Sequence, residues 1–136
     1  MAAPDPNGRT RPLSPHLDVY KWQVQMVTSI LHRATGIALV AGMLGLVWGL
    51  VALAGGEKSW AAFADCAGSL LGKLVLFGFS WALAYHLING VRHLVQDAGH
   101  GYAIPDFVRS SWISIIGSVL LVVLVWAIVL ARGGAA

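Results

Sequence analysis

Residues 111–131 read SWISIIGSVLLVVLVWAIVLA, without a single charged side chain. About 20 apolar residues at a rise of 1.5 Å each cross a hydrocarbon core about 30 Å thick, so this stretch predicts a membrane-spanning helix. Moving back along the chain, residues 34–54 (ATGIALVAGMLGLVWGLVALA) are also uncharged. Residues 67–91 form a third apolar run, with Lys73 near its start and His86 near its end. The predicted fold is therefore all-α and integral to the membrane, with three transmembrane helices. Allowing for interfacial turns, the spans cover about residues 29–54, 67–94 and 111–131. Residues 1–28 are left as an N-terminal arm and interfacial segment ahead of a transmembrane domain over 29–136.

The composition agrees. Of 136 residues, 57% are hydrophobic and 11% charged, with a mean hydropathy of +0.72, whereas a soluble domain carries roughly a quarter charged residues. The formal net charge of +3 comes from basic residues scattered to helix ends; they form no stripe for nucleic acid, and none is expected as a partner. Cys66 is the single cysteine, which excludes an intrachain disulfide or a CxxC motif and suits a small apolar filler near the membrane surface. The start is polar and proline-rich, unlike a signal peptide or an Arg- and Ser-rich transit peptide, so insertion is expected to rely on the internal segments.

Orientation follows from lysine and arginine. Arg9, Arg11, Lys21, Arg33, Arg92 and Arg109 fall on one side, while Lys58, Lys73 and Arg132 fall on the other. The N-terminus is thus expected on the cytoplasmic (or matrix) face. Trp22, Trp60 and Trp112 lie near span ends, where aromatic belts form. Residues 24–33 (VQMVTSILHR) are semi-apolar and extend the first helix into the interface; Pro6, Pro12 and Pro15 keep the segment ahead of them extended along the surface, against lipid or a soluble partner.

Ionisable groups inside a span mark functional candidates. His86 lies about 9 Å inside the boundary set by Arg92. It admits three readings: a hydrogen bond to a neighbouring helix, a proton relay, or a metal or haem ligand. His86, Gly90, His93 and Asp97 are spaced four, three and four residues apart and share one helix face. Gly90 removes a side chain where a flat macrocycle needs room. Arg92 and His93 stand at the interfacial end, as partners for propionates or as packing residues. On the first helix, Ser29, Arg33 and Gly36 share a face with His32 beside them. A hydroxyl and a guanidinium one turn apart suit a quinone, whose developing negative charge the arginine stabilises; the plain alternative is a positive-inside anchor.

His86 and His93 are two turns apart, about 10 Å along the axis, and cannot reach one iron. His32 is expected at the membrane edge, too shallow to oppose His86. A six-coordinate haem would then draw its second ligand from another chain, making this protein a subunit.

The segments RPLSPHLDVY (11–20), SILHRATG (29–36) and HLINGVRHLVQD (86–97) resemble the larger membrane-anchor, cytochrome b556, subunit of succinate dehydrogenase, respiratory complex II. The SxxHRxTG and HxxxGxRHxxxD elements are specific to that family, and the opening is similar to its alphaproteobacterial and mitochondrial branch. The resemblance implies half of a two-chain membrane-anchor bundle that binds haem b and ubiquinone, with His86 as an axial haem ligand and the other from the smaller anchor subunit. It implies that Ser29 and Arg33 line the ubiquinone site, that His32, Arg33 and His93 lie near the propionates, and that Asp97 lies near the quinone. A flavoprotein subunit would oxidise succinate and an iron–sulfur subunit would pass the electrons to ubiquinone, serving respiration and the tricarboxylic acid cycle from a bacterial cytoplasmic membrane or, alternatively, the mitochondrial inner membrane. Competing readings are a menaquinone-linked fumarate reductase anchor, a structural membrane protein in which His86 only hydrogen-bonds, and a proton conductor using Lys73, His86 and Asp97.

Overall fold

A computed structural model describes residues 21–133 together with Pro6 and Gly8; the RPLSPHLDVY segment lies outside the described residues. Four helices follow one another: α1 (Val24–Ala54), α2 (Glu57–Gly68), α3 (Leu70–Asp97) and α4 (Ile104–Ala131). Among the described residues there is no strand. Helices α1, α3 and α4 are long and apolar enough to cross a membrane. The chain is an all-α integral membrane protein with three spans.

The helices outrun the apolar runs. The 31 residues of α1 extend about 46 Å, so the expected extension through residues 24–33 is continuous helix and starts inside the segment assigned to the arm. Helix α4 starts at Ile104, with a proline in its first turn, seven residues before the uncharged run. A proline there sacrifices no intrahelical hydrogen bond, and Asp106 sits favourably at the same end. The second connection is therefore only residues 98–103.

Helix α2, 12 residues reading EKSWAAFADCAG, fills the stretch between the first two expected spans. Gly56, with φ of 90°, makes the left-handed turn that separates it from α1. At the other end Ser69 breaks the helix and caps the next: its Oγ donates to the Cys66 carbonyl (2.7 Å) and accepts from the Gly72 amide (3.0 Å). Phe63 of α2 packs edge-on against Trp48 of α1, folding α2 back over the bundle.

Central helix α3 touches all three others. Its buried residues Ala82, Tyr85, Asn89, Arg92 and Gln96 recur at alternating three- and four-residue spacing, the seam of a helix pair. On the neighbouring helices the buried residues are Ser111, Ser114, Ser118 and Val122 of α4 and, on α1, Thr28 and Thr35 among others. The core is thus small or polar, while Leu44, Leu71, Ile104 and Leu120 are exposed. In lipid, outward leucines cost nothing, and close packing of small residues with internal hydrogen bonds holds helices together. Each core serine donates within its own helix: Ser111 to Phe107, Ser114 to Ser110 and Ser118 to Ile115. Between helices, Tyr85 Oη donates to the Thr28 carbonyl (2.8 Å) and Trp126 Nε1 to Ser80 Oγ (3.3 Å).

Candidate functional site

Helices α1 and α3 run antiparallel, and where they cross toward the N-terminal side they bring together His32, His86 and His93. The rings of His32 and His86 stack with centroids 3.9 Å apart and planes inclined by 10°; His93 tilts against His32 at 5.0 Å. A Cβ placed on Gly90 would find the His32 ring at 3.9 Å. The shared face expected for His86, Gly90 and His93 is thus real, and its neighbour is His32.

This corrects the level expected for His32. It lies level with His86, since the two rings stack face to face. His32 still cannot oppose His86 across one iron. Ring nitrogens coordinate with lone pairs in the ring plane, at about 2 Å, and two faces stacked at 3.9 Å leave no room between them. Among the described residues no three His, Cys, Asp or Glu side chains form a metal-chelating group.

His86 is held by one turn of α1. Its Nδ1 lies 3.2 Å from the His32 carbonyl oxygen and 3.4 Å from Thr35 Oγ1. A carbonyl can only accept, so Nδ1 carries the ring hydrogen and Nε2 keeps the lone pair. Gly36 lets the ring lie against the α1 backbone, since a Cβ there would stand 3.2 Å from His86 Cε1. An oriented imidazole with a free Nε2 and Nδ1–H on a carbonyl is what an axial ligand requires. Along the α1–α3 groove, toward α2, an apolar cleft of about 600 Å³ is lined by Ala38, Gly42, Gly45, Gly72, Val75 and Phe79, among others. Phe79 lies two turns from His86 on the same α3 face. The cleft thus begins about two turns along α3 from the histidine cluster, which does not line it.

Arg92 points the other way. It is buried, its Nε donates to Ser110 Oγ (3.0 Å), its Nη1 donates to Asn89 Oδ1 (3.3 Å), and its guanidinium carbon lies 4.5 Å from the Phe107 ring centre. Of its two expected roles, propionate partner or packing, these are packing contacts. They also fix the Asn89 amide: with Oδ1 toward Arg92, Nδ2 donates to His93 Nε2 at 3.2 Å, which leaves the hydrogen of neutral His93 on Nδ1.

Ser29 is half-buried, next to the Thr28 whose carbonyl holds Tyr85. Arg33 and Asp97 are exposed. None of the three lines the large cleft, so a quinone bound by them would lie at the opposite end of the groove. Lys73 is exposed in the first turn of α3, whose other end is Asp97; it is remote from His86. Thr35, Tyr85 and Asn89 had no role in the sequence reading. Their signal was polar residues inside apolar runs, at spacings that match across helices.

A three-span helical bundle that orients one imidazole between two of its helices defines a class, the multi-pass membrane anchors with a histidine site. The family model for the succinate dehydrogenase/fumarate reductase transmembrane subunit matches residues 7–128. The chain belongs to that family. It is 47% identical over 120 residues to the succinate dehydrogenase cytochrome b556 subunit of Paracoccus denitrificans, covering 88% of this chain and 92% of that one. The protein of the same name from Rickettsia conorii is 42% identical over 116 residues (85% and 90%). The mitochondrial succinate dehydrogenase cytochrome b560 subunit of Sus scrofa is 40% identical over 115 residues (83% and 68%).

Proposed function

We propose that this chain is the membrane-anchor cytochrome b subunit of a succinate:ubiquinone oxidoreductase, in a bacterial inner membrane with its N-terminus on the cytoplasmic side. The observation that carries the reading is the tether of His86 Nδ1 to the His32 carbonyl (3.2 Å), which leaves Nε2 free for haem iron. Succinate is oxidised on another subunit, and this chain binds and orients redox groups while anchoring the soluble partners.

His86 would hold the haem iron through Nε2, and the smaller anchor subunit would supply a further ligand, because His32, stacked on His86, cannot reach the same iron. The haem, when bound, supplies a one-electron store beside the quinone path. Gly36 and Gly90 keep the histidine cluster free of intruding side chains, and Gly42 and Phe79 shape the apolar cleft. His93 Nδ1–H, His32 and the exposed Arg33 are the polar groups available to propionates. Ser29 donates to a quinone carbonyl, and Arg33 offsets the negative charge that grows on the ring as it takes electrons from the iron–sulfur subunit. Asp97, exposed at the end of α3, completes the quinone-binding set.

The test is purification of the tagged chain from its native membrane. A flavoprotein, an iron–sulfur protein and a second small membrane chain should accompany it, with succinate:ubiquinone activity. Isolation of the chain alone, from membranes whose succinate dehydrogenase is intact without it, would refute the assignment. Preference for menaquinone over ubiquinone would transfer it to the fumarate reductase branch.

A further inference from the structure

We propose that Thr35 is a positioning residue for the haem-ligand histidine: its hydroxyl, with the carbonyl of His32, fixes the plane of the His86 ring. This rests on the assignment of His86 as an axial ligand. Thr35 is almost wholly buried, at 3% exposure. Its hydroxyl hydrogen is shared between the carbonyls of Leu31 (2.8 Å) and His32 (3.0 Å), the back-bonding typical of threonine in a helix. With that hydrogen committed, an Oγ1 lone pair remains for His86 Nδ1–H at 3.4 Å, beside the His32 carbonyl at 3.2 Å.

One ring hydrogen thus faces two acceptors from a single turn of α1, while the ring is bounded on its face by His32 at 3.9 Å and at Cε1 by Gly36. Neither acceptor alone stops the ring turning about its Cβ–Cγ bond, a broad torsion with little intrinsic preference. Two acceptors and a stacked face define it. The hydroxyl also acts on the second acceptor, because the His32 carbonyl receives the Thr35 hydrogen. Thr35 therefore sets both the direction and the strength of the bond that orients the ligand, and such outer partners tune a bound metal without touching it.

The experiment uses the whole complex, purified with its accompanying chains, in parent, Thr35→Val, Thr35→Ser and His86→Ala forms. The readouts are haem stoichiometry and the low-spin ferric electron paramagnetic resonance signal, whose largest g-value follows the orientation of the axial rings. Valine keeps the shape and removes the hydroxyl; serine keeps the hydroxyl. Thr35→Val should retain haem at parental stoichiometry with a displaced or broadened largest g-value, and Thr35→Ser should match the parent. A parental signal in Thr35→Val, or an equal displacement in Thr35→Ser, would overturn the proposal. If Thr35→Val fails to assemble, Thr35→Ala removes the same hydroxyl, with the same two outcomes. Loss of the signal in His86→Ala alongside a silent Thr35→Val would leave the ligand assignment standing and remove only the positioning role. An unchanged signal in His86→Ala would overturn the ligand assignment and the proposal together.

Discussion

The imidazoles of His32 on α1 and His86 on α3 lie face to face, 3.9 Å between centroids and 10° from parallel. The contact joins two helices far apart in sequence at the level of the bundle where the polar core is densest. His86 there has an oriented, unengaged nitrogen, and His32 is disqualified as its counterpart across an iron. Under the proposed haem assignment, the second ligand would come from another chain, and ring geometry rather than depth in the membrane is the reason.

Gly36 sets the clearance of that contact. A methyl there stands 3.2 Å from His86 Cε1, a distance the ring can relieve only by moving, and overpacking of this kind costs about 1–3 kcal/mol. Gly36→Ala should weaken haem retention on the order of tenfold, equivalent to about 1.4 kcal/mol, and Gly36→Val should weaken it further. Haem per complex, measured by pyridine haemochrome, checks this; full occupancy in Gly36→Val would show that the ring is not held against α1.

Ser29→Ala and Arg33→Ala address the quinone. Removing one preorganised donor to a developing negative charge costs on the order of a hundredfold in turnover. Succinate:ubiquinone activity should fall by roughly that factor in each variant, while succinate oxidation by an artificial dye persists in the assembled complex. An equal fall of both activities would place these residues in docking of the soluble subunits instead.

Arg92 is bound into the α3–α4 interface by Ser110, Asn89 and Phe107. Hydrogen bonds between membrane helices contribute about 0.6–2 kcal/mol each, so Arg92→Ala should lower the melting temperature of the solubilised complex by several degrees with haem retained. Lysine should not rescue it, because an ammonium cannot serve Ser110 and Asn89 in the same planar fork. Loss of haem without loss of thermal stability would make Arg92 a propionate partner after all.

The exposed Lys58 on α2 tests orientation. In a Cys66→Ser background that leaves no native thiol, Lys58→Cys should react with a membrane-impermeant maleimide added outside intact spheroplasts. Labelling only after lysis would invert the topology.

The three spans and the face bearing His86, Gly90 and His93 were legible because apolar run length and helical spacing survive in any sequence whose helices are bathed in lipid. Helix ends were not. Helix α4 begins at Ile104, seven residues before its uncharged run, and the level of His32 follows from how α1 and α3 cross, which brings its ring onto His86. Helix α2 was hidden by being too short to span and by the charges of Glu57, Lys58 and Asp65; Gly56, Ser69 and the packing of Phe63 on Trp48 delimit and hold it. Thr35 stood inside the SxxHRxTG element, but its contact with His86 spans 51 residues and follows from the crossing of two helices, which no local pattern encodes.

The most direct test of the central claim is a reduced-minus-oxidised optical spectrum of the purified complex, recorded for the parent chain and for His86→Ala. The parent should show a b-type α band, and the variant should lose it while its three spans and the accompanying chains remain. A full band in His86→Ala would contradict the assignment of His86 as haem ligand, and no band in an intact, succinate-oxidising parent complex would remove haem from this subunit altogether.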